Sequence, residues 1–301
     1  VSSRAAAALV EDGPSLHPER LMIALPDNWN HKISLGDELQ TGLIGIMSYS
    51  YGNYKVMPVS QLKIAGFQGK ETNASTINSD AMRIATYNLN NYSQYSTKNK
   101  IKILAQQIAD DLHSPNLLVL QEVMDDSGQL DDGTTTASEN LNLLISEIRY
   151  AGGAEYRYYD VPPANDSSGG ISGGNIRTIF LLNQASPLKL KSVAGETDQN
   201  VNLEILSGGT VSLTPNPGVI GIGEQGFQNS RKPIVGVFDY EGQQIVILGI
   251  HFVSKSLNSP LYGSQQPILQ PELEKRLVEA RYVNAWVTDL HEKSPQTFII
   301  V

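Results

Sequence analysis

Residues 117–123 read Leu-Leu-Val-Leu-Gln-Glu-Val, an apolar run that ends in two polar side chains. A short continuous apolar run is typical of a strand that is buried on both faces. Gln121 and Glu122 close this run, and α/β sheets place their ligand sites at the ends of such strands. The stretch therefore predicts a buried strand with Glu122 at the edge of an α/β sheet.

Two other apolar runs end in polar side chains in the same way. The strand predicted at 83–86 leads into Asn88, and the strand predicted at 244–250 leads into His251. A carboxylate with carboxamides nearby suits Mg²⁺, which takes few protein carboxylates and keeps several waters. A histidine at a neighbouring strand end could pass on a proton or hold a phosphate oxygen.

Each of these residues also has an ordinary structural interpretation. Glu122 could cap a helix or form a salt bridge, and Asn88 is a common type of turn residue. A single histidine such as His251 is more often a hydrogen-bonded structural residue. Taken by themselves, the residues therefore predict a polar site on an α/β sheet and leave its chemistry open.

Apolar residues recur at helical spacing between the predicted strands. This spacing predicts helices within 98–113 and 141–148, and a long amphipathic helix over 271–290 that has a proline at its start. Further strands are predicted at 117–120, 176–182 and 234–238. The alternation of strands and helices predicts an α/β domain over residues 81–301.

The first 65 residues have a different pattern. Short strand-like runs are divided by Gly, Asp, Asn and Pro without a helical period, which predicts a small all-β module over 1–65. A hairpin is predicted in 49–58 with its turn at Gly52-Asn53. Polar and small residues at 66–80 indicate a linker. Two interpretations stay open for the hairpin tyrosines Tyr49, Tyr51 and Tyr54. They could stack on bases, or they could be half-buried strand aromatics.

Composition and charge exclude several classes of protein. The chain has 301 residues, with 22 Lys and Arg against 31 Asp and Glu, and a net charge of −9. This balance argues against a polybasic nucleic-acid binder but allows an enzyme that meets phosphate through a bound metal. The absence of cysteine excludes thiol catalysis, cysteine-based zinc fingers and disulfide scaffolds. No apolar run is long enough to predict a membrane span.

Five ordered motifs resemble the endonuclease/exonuclease/phosphatase superfamily, which has the deoxyribonuclease I-like fold. They are Thr86-Tyr87-Asn88-Leu89-x-Asn91-Tyr92, Leu120-Gln121-Glu122-Val123, Gly173-Gly174-Asn175-Ile176-Arg177, Ser230-Arg231-Lys232-Pro233 and His251-Phe252-x-Ser254-Lys255. The resemblance covers about residues 82–301 and points to the large secreted bacterial nucleases of that superfamily. It implies two packed sheets flanked by helices, and hydrolysis of phosphodiesters by metal-activated water.

The resemblance also implies roles for individual residues. Glu122 matches the metal-ligand carboxylate, and Asn88 matches the asparagine that supports the metal and the phosphate. The metal implied is Mg²⁺, with Mn²⁺ or Ca²⁺ as alternatives. His251 matches a histidine on the phosphate side, and Arg231 a basic residue near the phosphate groove, where arginine adds charge-assisted hydrogen bonds. The substrate-binding residues implied are Asn175, Arg177, Ser254 and Lys255.

Outside these motifs, the resemblance bears on both ends of the chain. The first 65 residues are similar to the OB-like β-barrel that precedes the nuclease domain in those secreted enzymes. A Gly-Asp-x-Asn motif and a later Ser-Asp-His motif are implied after the last helix, and neither occurs in the 301 residues. We therefore expect the C-terminal part of the nuclease domain to be missing and this polypeptide, taken alone, to be nearly inactive. The resemblance further implies an extracellular or periplasmic location.

The implied substrate is DNA or RNA, and no protein partner can be identified from the sequence. The same scaffold serves sphingomyelin phosphodiesterases and inositol-phosphate phosphatases, so the fold leaves the substrate open. A lipid enzyme would be expected to expose an apolar hairpin, and none stands out in residues 183–230. A non-catalytic protein that binds nucleic acid or a surface partner is the second class of function.

Overall fold

The computed structural model describes residues 21–25, 29, 33, 37–65 and 81–301, and their contacts divide them into two units. The first unit holds the described residues up to 65 together with Lys255–Leu273. The second unit holds residues 81–254 and Glu274–Val301. The linker predicted at 66–80 lies outside the described residues. The grouping of Lys255–Leu273 with the first unit is a feature that the sequence pattern did not indicate.

The first unit contains four short strands: β1 (Glu38–Leu39), β2 (Gly45–Ser50), β3 (Asn53–Pro58) and β4 (Ile64–Ala65). The antiparallel pairs β1–β4 and β2–β3 form two separate sheets among the described residues. Both residues between β2 and β3, Tyr51 and Gly52, have positive φ, as a two-residue type I′ hairpin turn requires. The hairpin is therefore present, with its turn one residue earlier than predicted. The OB-like barrel stays a prediction.

The hairpin contacts the segment Lys255–Leu273 through hydrogen bonds of Tyr262. Tyr54 N–H donates to the carbonyl of Tyr262 over 2.7 Å, and Tyr262 N–H donates to Asn53 Oδ1 over 3.2 Å. The rings of Tyr49 and Tyr54 lie 4.7 Å apart on the hairpin, whereas Tyr51 is almost fully exposed at its tip. The three tyrosines therefore do not share one environment.

The first sheet of the second unit contains β5 (Ile84–Tyr92), β6 (Leu117–Val123), β7 (Tyr156–Tyr159) and β8 (Arg177–Asn183), in the order β5-β6-β8-β7. Strands β5 and β6 are parallel, and β8 is antiparallel to β6. Two helices connect these strands: α1 (Lys98–Gln106), which continues into a π-helical turn at Gln107–Asp111, and α2 (Ser138–Tyr150). This pairing places the carboxyl ends of β5 and β6 and the amino end of β8 at one edge.

The second sheet follows along the chain. The remaining strands are β9 (Leu188–Leu190), β10 (Asn202–Ile205), β11 (Val211–Thr214), β12 (Gly218–Val219), β13 (Ile234–Tyr240), β14 (Gln243–Gly249) and β15 (Phe298–Ile300). The sheet order is β12-β13-β14-β15, with β9 also paired to β13, while β10 and β11 form their own hairpin. Helix α3 (Leu273–Lys293) precedes β15. None of the described helices is long and apolar enough to cross a membrane.

The second unit has four layers that are held by three apolar cores. Between the two sheets, Phe180 of β8 meets Phe238 of β13 edge to face, with ring centroids 5.4 Å apart. Helices α1 and α2 cover the outer face of the first sheet through Leu104 and Leu144. Helix α3 covers the outer face of the second sheet through Val283, Leu290 and neighbouring residues. These layers confirm the α/β two-sheet sandwich flanked by helices that the sequence predicted.

Candidate active site

The carboxyl ends of β5 and β6 bring Asn88 and Glu122 into contact. Parallel pairing sets Asn88 opposite Gln121, the residue before Glu122. Asn88 Nδ2 then donates to Glu122 Oε1 over 2.9 Å, and the backbone N–H of Asn91 donates to Glu122 Oε2 over 3.0 Å. Both oxygens of the carboxylate are thus oriented by β5, although Glu122 belongs to β6.

The backbone at both strand ends has an uncommon conformation. Glu122, Asn90 and Asn91 have φ of 57°, 54° and 54°, and the ladders on both sides of β6 shift register here. Such positive φ costs about 1–3 kcal/mol at a non-glycine residue and persists only where surrounding contacts impose it. The register shifts are β-bulges, which re-aim side chains near functional sites. We conclude that surrounding contacts hold the half-buried Glu122 in this conformation at the edge of the sheet.

Lys100 of α1 supports this turn, although the sequence did not single it out. Its Nζ donates to the carbonyl of Asn90 over 2.5 Å and lies near the carbonyl of Asn91. Burial lowers the pKa of Lys100, while the charge of Glu122 opposes that shift. The side chain of Asn88 adds a second support, because its Oδ1 accepts from Asn90 N–H over 2.8 Å.

His251 enters the same site from the second sheet. It follows β14, and its Nε2 lies 3.5 Å from Glu122 Oε1. Burial in the first place, and then the charge of Arg231, lower the pKa of His251 to about 4, against the opposing effect of Glu122. The imidazole is therefore neutral at pH 7. Because its Nδ1 is buried without a hydrogen-bond partner among the described residues, we assign the N–H to Nε2, which faces the carboxylate.

Arg231 lies behind His251 and is almost completely buried. Its Nη2 donates to the carbonyl of Phe252, the residue after His251, and its Nη1 lies 3.5 Å from the carbonyl of Ser168. The guanidinium thus ties the loop before β13 to the chain after β14. Its charge acts on His251 across a region of low dielectric, where charges interact more strongly than in water.

Asn175 and Arg177 are placed in the interior. Asn175 Nδ2 donates to Asp125 Oδ2 over 2.9 Å, and its Oδ1 accepts from Asp166 N–H over 2.8 Å. Arg177 Nη1 forms an ion pair with Asp160 at 3.1 Å. Both side chains therefore brace the loops around the start of β8. The structure does not bring them into contact with Glu122.

The last two sequence-predicted residues lie on the surface. Ser254 is exposed, and its carbonyl accepts from Arg276 Nη1 over 2.7 Å. Lys255 is exposed and is the first residue of the segment that groups with the first unit. The contacts within the second unit therefore bring together Asn88, Glu122 and His251, with Arg231 adjacent.

A buried carboxylate that the sequence did not single out braces this site from α3. Glu279 is fully buried, and Ser230 Oγ donates to its Oε1. Its Oε2 accepts from Val253 N–H over 2.9 Å. Glu279 thus fixes the residues on either side of the Arg231–Phe252 contact. Apolar spacing finds the helix but carries no signal for a buried polar position within it.

The donor set fits a hard divalent cation with few protein ligands. The part of the chain that the structure describes holds no cluster of three His, Asp or Glu side chains that could bind a metal. Mg²⁺ is commonly bound by one or two carboxylates together with waters and substrate phosphate, so a cluster is not required. Each oxygen of the Glu122 carboxylate accepts only one hydrogen bond of 3.0 Å or less from the described residues, so each has a lone pair left for a cation. Carboxylate and amide oxygens suit Mg²⁺, Mn²⁺ and Ca²⁺ alike.

The fold and the site together describe the class of this protein. It is a four-layer α/β sandwich in which Glu122, Asn88 and a neutral His251 meet at strand ends. The chain is similar to an endonuclease/exonuclease/phosphatase family protein from Leptotrichia buccalis C-1013-b, with 18% identity, a TM-score of 0.36, and coverage of 68% of this chain and 61% of that chain.

Two TDP2 structures are similar as well. Truncated Caenorhabditis elegans TDP2 has 14% identity and a TM-score of 0.39, with coverage of 71% of this chain and 58% of that chain. D. rerio TDP2, complexed with single-strand DNA product, has 11% identity and a TM-score of 0.37, with coverage of 72% and 57%. The chain thus spans about three fifths of the length of these structures.

The first part of the chain matches a family model described as "Domain of unknown function (DUF8508)", over residues 3–67. None of the curated proteins compared matches the chain. The matched range ends close to the boundary that the sequence pattern predicts at residue 65.

Proposed function

We propose that the protein is a divalent-metal phosphodiesterase that acts on nucleic acid, DNA or RNA. The observation that carries this proposal is the position of Glu122, whose carboxylate meets Asn88 of β5 and His251 of the second sheet at one edge. Three strand ends supply three different polar groups there. A carboxylate beside a neutral imidazole suits chemistry on a phosphate that is bound through a cation.

The mechanism assigns a separate task to each side chain. Glu122, with the amide oxygen of Asn88 nearby, would hold Mg²⁺, Mn²⁺ or Ca²⁺. When bound, the cation would neutralise charge on the phosphate and lower the pKa of a water. His251 would donate its Nε2–H, which faces Glu122, to a phosphate oxygen bound beside that carboxylate. Arg231 supplies a fixed positive charge near the phosphate, and Asn88 keeps the Glu122 carboxylate in place.

The experiment that tests this proposal is the binding of Mn²⁺ and Mg²⁺ to the chain by calorimetry. Glu122→Gln keeps the shape of the side chain and removes its charge, so we expect binding to weaken by at least about tenfold. Glu155→Gln, which changes an exposed glutamate of the second unit, is the matched control and is expected to bind as the wild type does. Equal cation binding by Glu122→Gln and the wild type would overturn the assignment.

Cleavage is measured separately on labelled oligodeoxynucleotides and oligoribonucleotides. The low activity expected of this polypeptide alone stays a prediction, and for that reason metal binding is the primary readout. Binding of either oligonucleotide without any cation site would favour the non-catalytic alternative. An extracellular or periplasmic location is part of the proposal and rests on the resemblance of the motifs. Localisation of the tagged protein in its host tests it.

A further inference from the structure

A cavity of about 410 Å³ lies next to the site, within the second unit, and has no role in the function proposed above. Four segments form it: the chain after β7, the start of β8 with Ile176 before it, the chain between β9 and β10, and the stretch from β12 to β13. Arg231 belongs to both places, since it lines the cavity and its charge acts on His251. The cavity therefore shares a wall with the proposed phosphate site.

Most of the lining is apolar. Apolar side chains that are buried or half-buried come from three of the four segments: Val161, Ile176, Val219, Ile222 and Phe227. Cavities of this size with apolar walls and a few polar groups are the usual form of a small-molecule site. The shape and lining suit a flat, largely apolar group.

One end of the cavity is cationic. Lys232 is half-buried, and its Nζ donates to the carbonyl of Ser167 over 2.8 Å. Burial, and then the charges of Lys275 and Arg231, lower its pKa. No carboxylate of the described chain lies within ion-pair distance of Lys232. An anion at this end would therefore meet positive charge that the described protein leaves unneutralised.

Some polar residues of the lining, Arg177, Thr178 and Ser168 among them, are buried, and others are exposed. The acidic side chains of the lining, Asp198 and Glu224, are exposed, as are the amides of Gln228 and Asn229. Exposed carboxylates are screened by water, so they oppose an anion at the buried end only weakly. The amides can donate to and accept from the edge of a planar ring.

We propose that this cavity binds a single nucleotide, with its base between the apolar walls and its phosphate against Lys232. The proposal rests on the proposed function in two respects: nucleic acid is taken as the source of the nucleotide, and a phosphate is taken to lie at His251. Because Arg231 is shared with the site, a base held here would belong to the nucleotide next to the phosphate at His251. The cavity would thus hold the end of a strand in a fixed position.

The test is calorimetric titration of the full chain with AMP in the presence of a chelator, so that no cation is bound. Lys232→Gln removes the charge and is expected to weaken AMP binding about tenfold. Ile222→Trp fills the cavity and is expected to abolish binding. Lys102→Gln, on the exposed face of α1, is the matched control and is expected to bind AMP like the wild type.

Other probes distinguish a strand end from a free nucleotide as the ligand, and the nucleotide site from the cation site. Inorganic phosphate is expected to bind much more weakly than AMP, and equal affinity would overturn the role of the base. A 5′-phosphorylated tetranucleotide that competes with AMP identifies a strand end as the ligand, whereas AMP binding without that competition identifies a free nucleotide. Glu122→Gln is expected to leave AMP binding unchanged, so loss of the cation site and loss of the nucleotide site are distinguishable. AMP binding that Lys232→Gln and Ile222→Trp both leave intact would overturn the proposal.

Discussion

At the scale of single residues, the environment of His251 decides what this side chain can do. Its Nε2 faces Glu122, and an acidic neighbour by itself would favour the protonated imidazole. Burial and the charge of Arg231 outweigh that effect and lower the pKa to about 4. The histidine is therefore a neutral hydrogen-bond donor across the physiological range, rather than a cation.

The same shift predicts a pH dependence of stability. In the unfolded chain His251 takes up a proton near its ordinary pKa of about 6.5, while in the folded chain it does so only near pH 4. The unfolded state thus binds more protons between these values, and the free energy of unfolding falls as the pH falls through this window. We expect His251→Gln to reduce this loss of stability, as measured by urea denaturation without metal at pH 7 and at pH 4.5.

His291, exposed in the last turn of α3, provides the control for this measurement. Because its side chain is exposed and lies outside the site, His291→Gln is expected to leave the acid loss of stability in place. An unchanged pH dependence in His251→Gln would show that its burial does not govern acid stability.

At the scale of elements, α3 does more than cover a sheet. Its apolar face packs on the second sheet, and Glu279 joins the loop before β13 to the chain after β14. A fully buried carboxylate persists where hydrogen bonds satisfy it, and here Ser230 and Val253 N–H supply them. The helix thus positions the segment that carries Arg231 as well as the one that carries His251.

Replacement of Glu279 tests this positioning. Glu279→Ala leaves Val253 N–H without its acceptor and removes packed atoms, so we expect a loss of about 2–4 kcal/mol in unfolding free energy. Ser230→Ala removes one of the two contacts and is expected to cost less. Calorimetric melting of both variants measures the difference. Glu279→Ala with the stability of the wild type would contradict a bracing role.

At the scale of the whole second unit, close approach of the two sheets determines where His251 lies. Gly249 ends β14, two residues before His251. A Cβ atom there would lie 2.6 Å from Val119 Cγ1 and 2.8 Å from Thr178 Cγ2, both on the first sheet. The absence of a side chain at Gly249 therefore allows the ends of β14 and β6 to meet.

Gly249→Ala is expected to separate these strand ends. The added methyl group must displace packed side chains of both sheets, which costs about 1–3 kcal/mol in an already dense core. We also expect weaker cation binding, because displacement of β6 at Val119 would disturb Glu122, the proposed cation ligand on the same strand. Gly42→Ala, where nothing lies within 4 Å of the new atom, is the control for both measurements. Wild-type melting and wild-type cation binding in Gly249→Ala would refute this account.

The amino-acid sequence was sufficient to predict the main strands and helices and to single out candidate site residues. Apolar runs predicted the buried strands, and apolar spacing predicted the three helices to within a few residues of their observed ends. These patterns are local, because they reflect which side chains of one element face a core. Glu122, Asn88 and His251 were identifiable for the same reason, as polar residues at the ends of apolar strands.

How these residues meet depends on long-range packing, which the sequence pattern does not contain. Asn88 and His251 contact Glu122 because strand pairing and sheet packing bring distant parts of the chain to one edge. The left-handed backbone at Glu122, the burial of Arg177 and the buried carboxylate of Glu279 are also set by neighbours far away in sequence. The pattern of apolar and polar residues along one element indicates which side chains face a core. It does not indicate which residue of another strand each of them contacts. The charge state of His251 likewise follows from long-range burial and from Arg231, which no local pattern encodes.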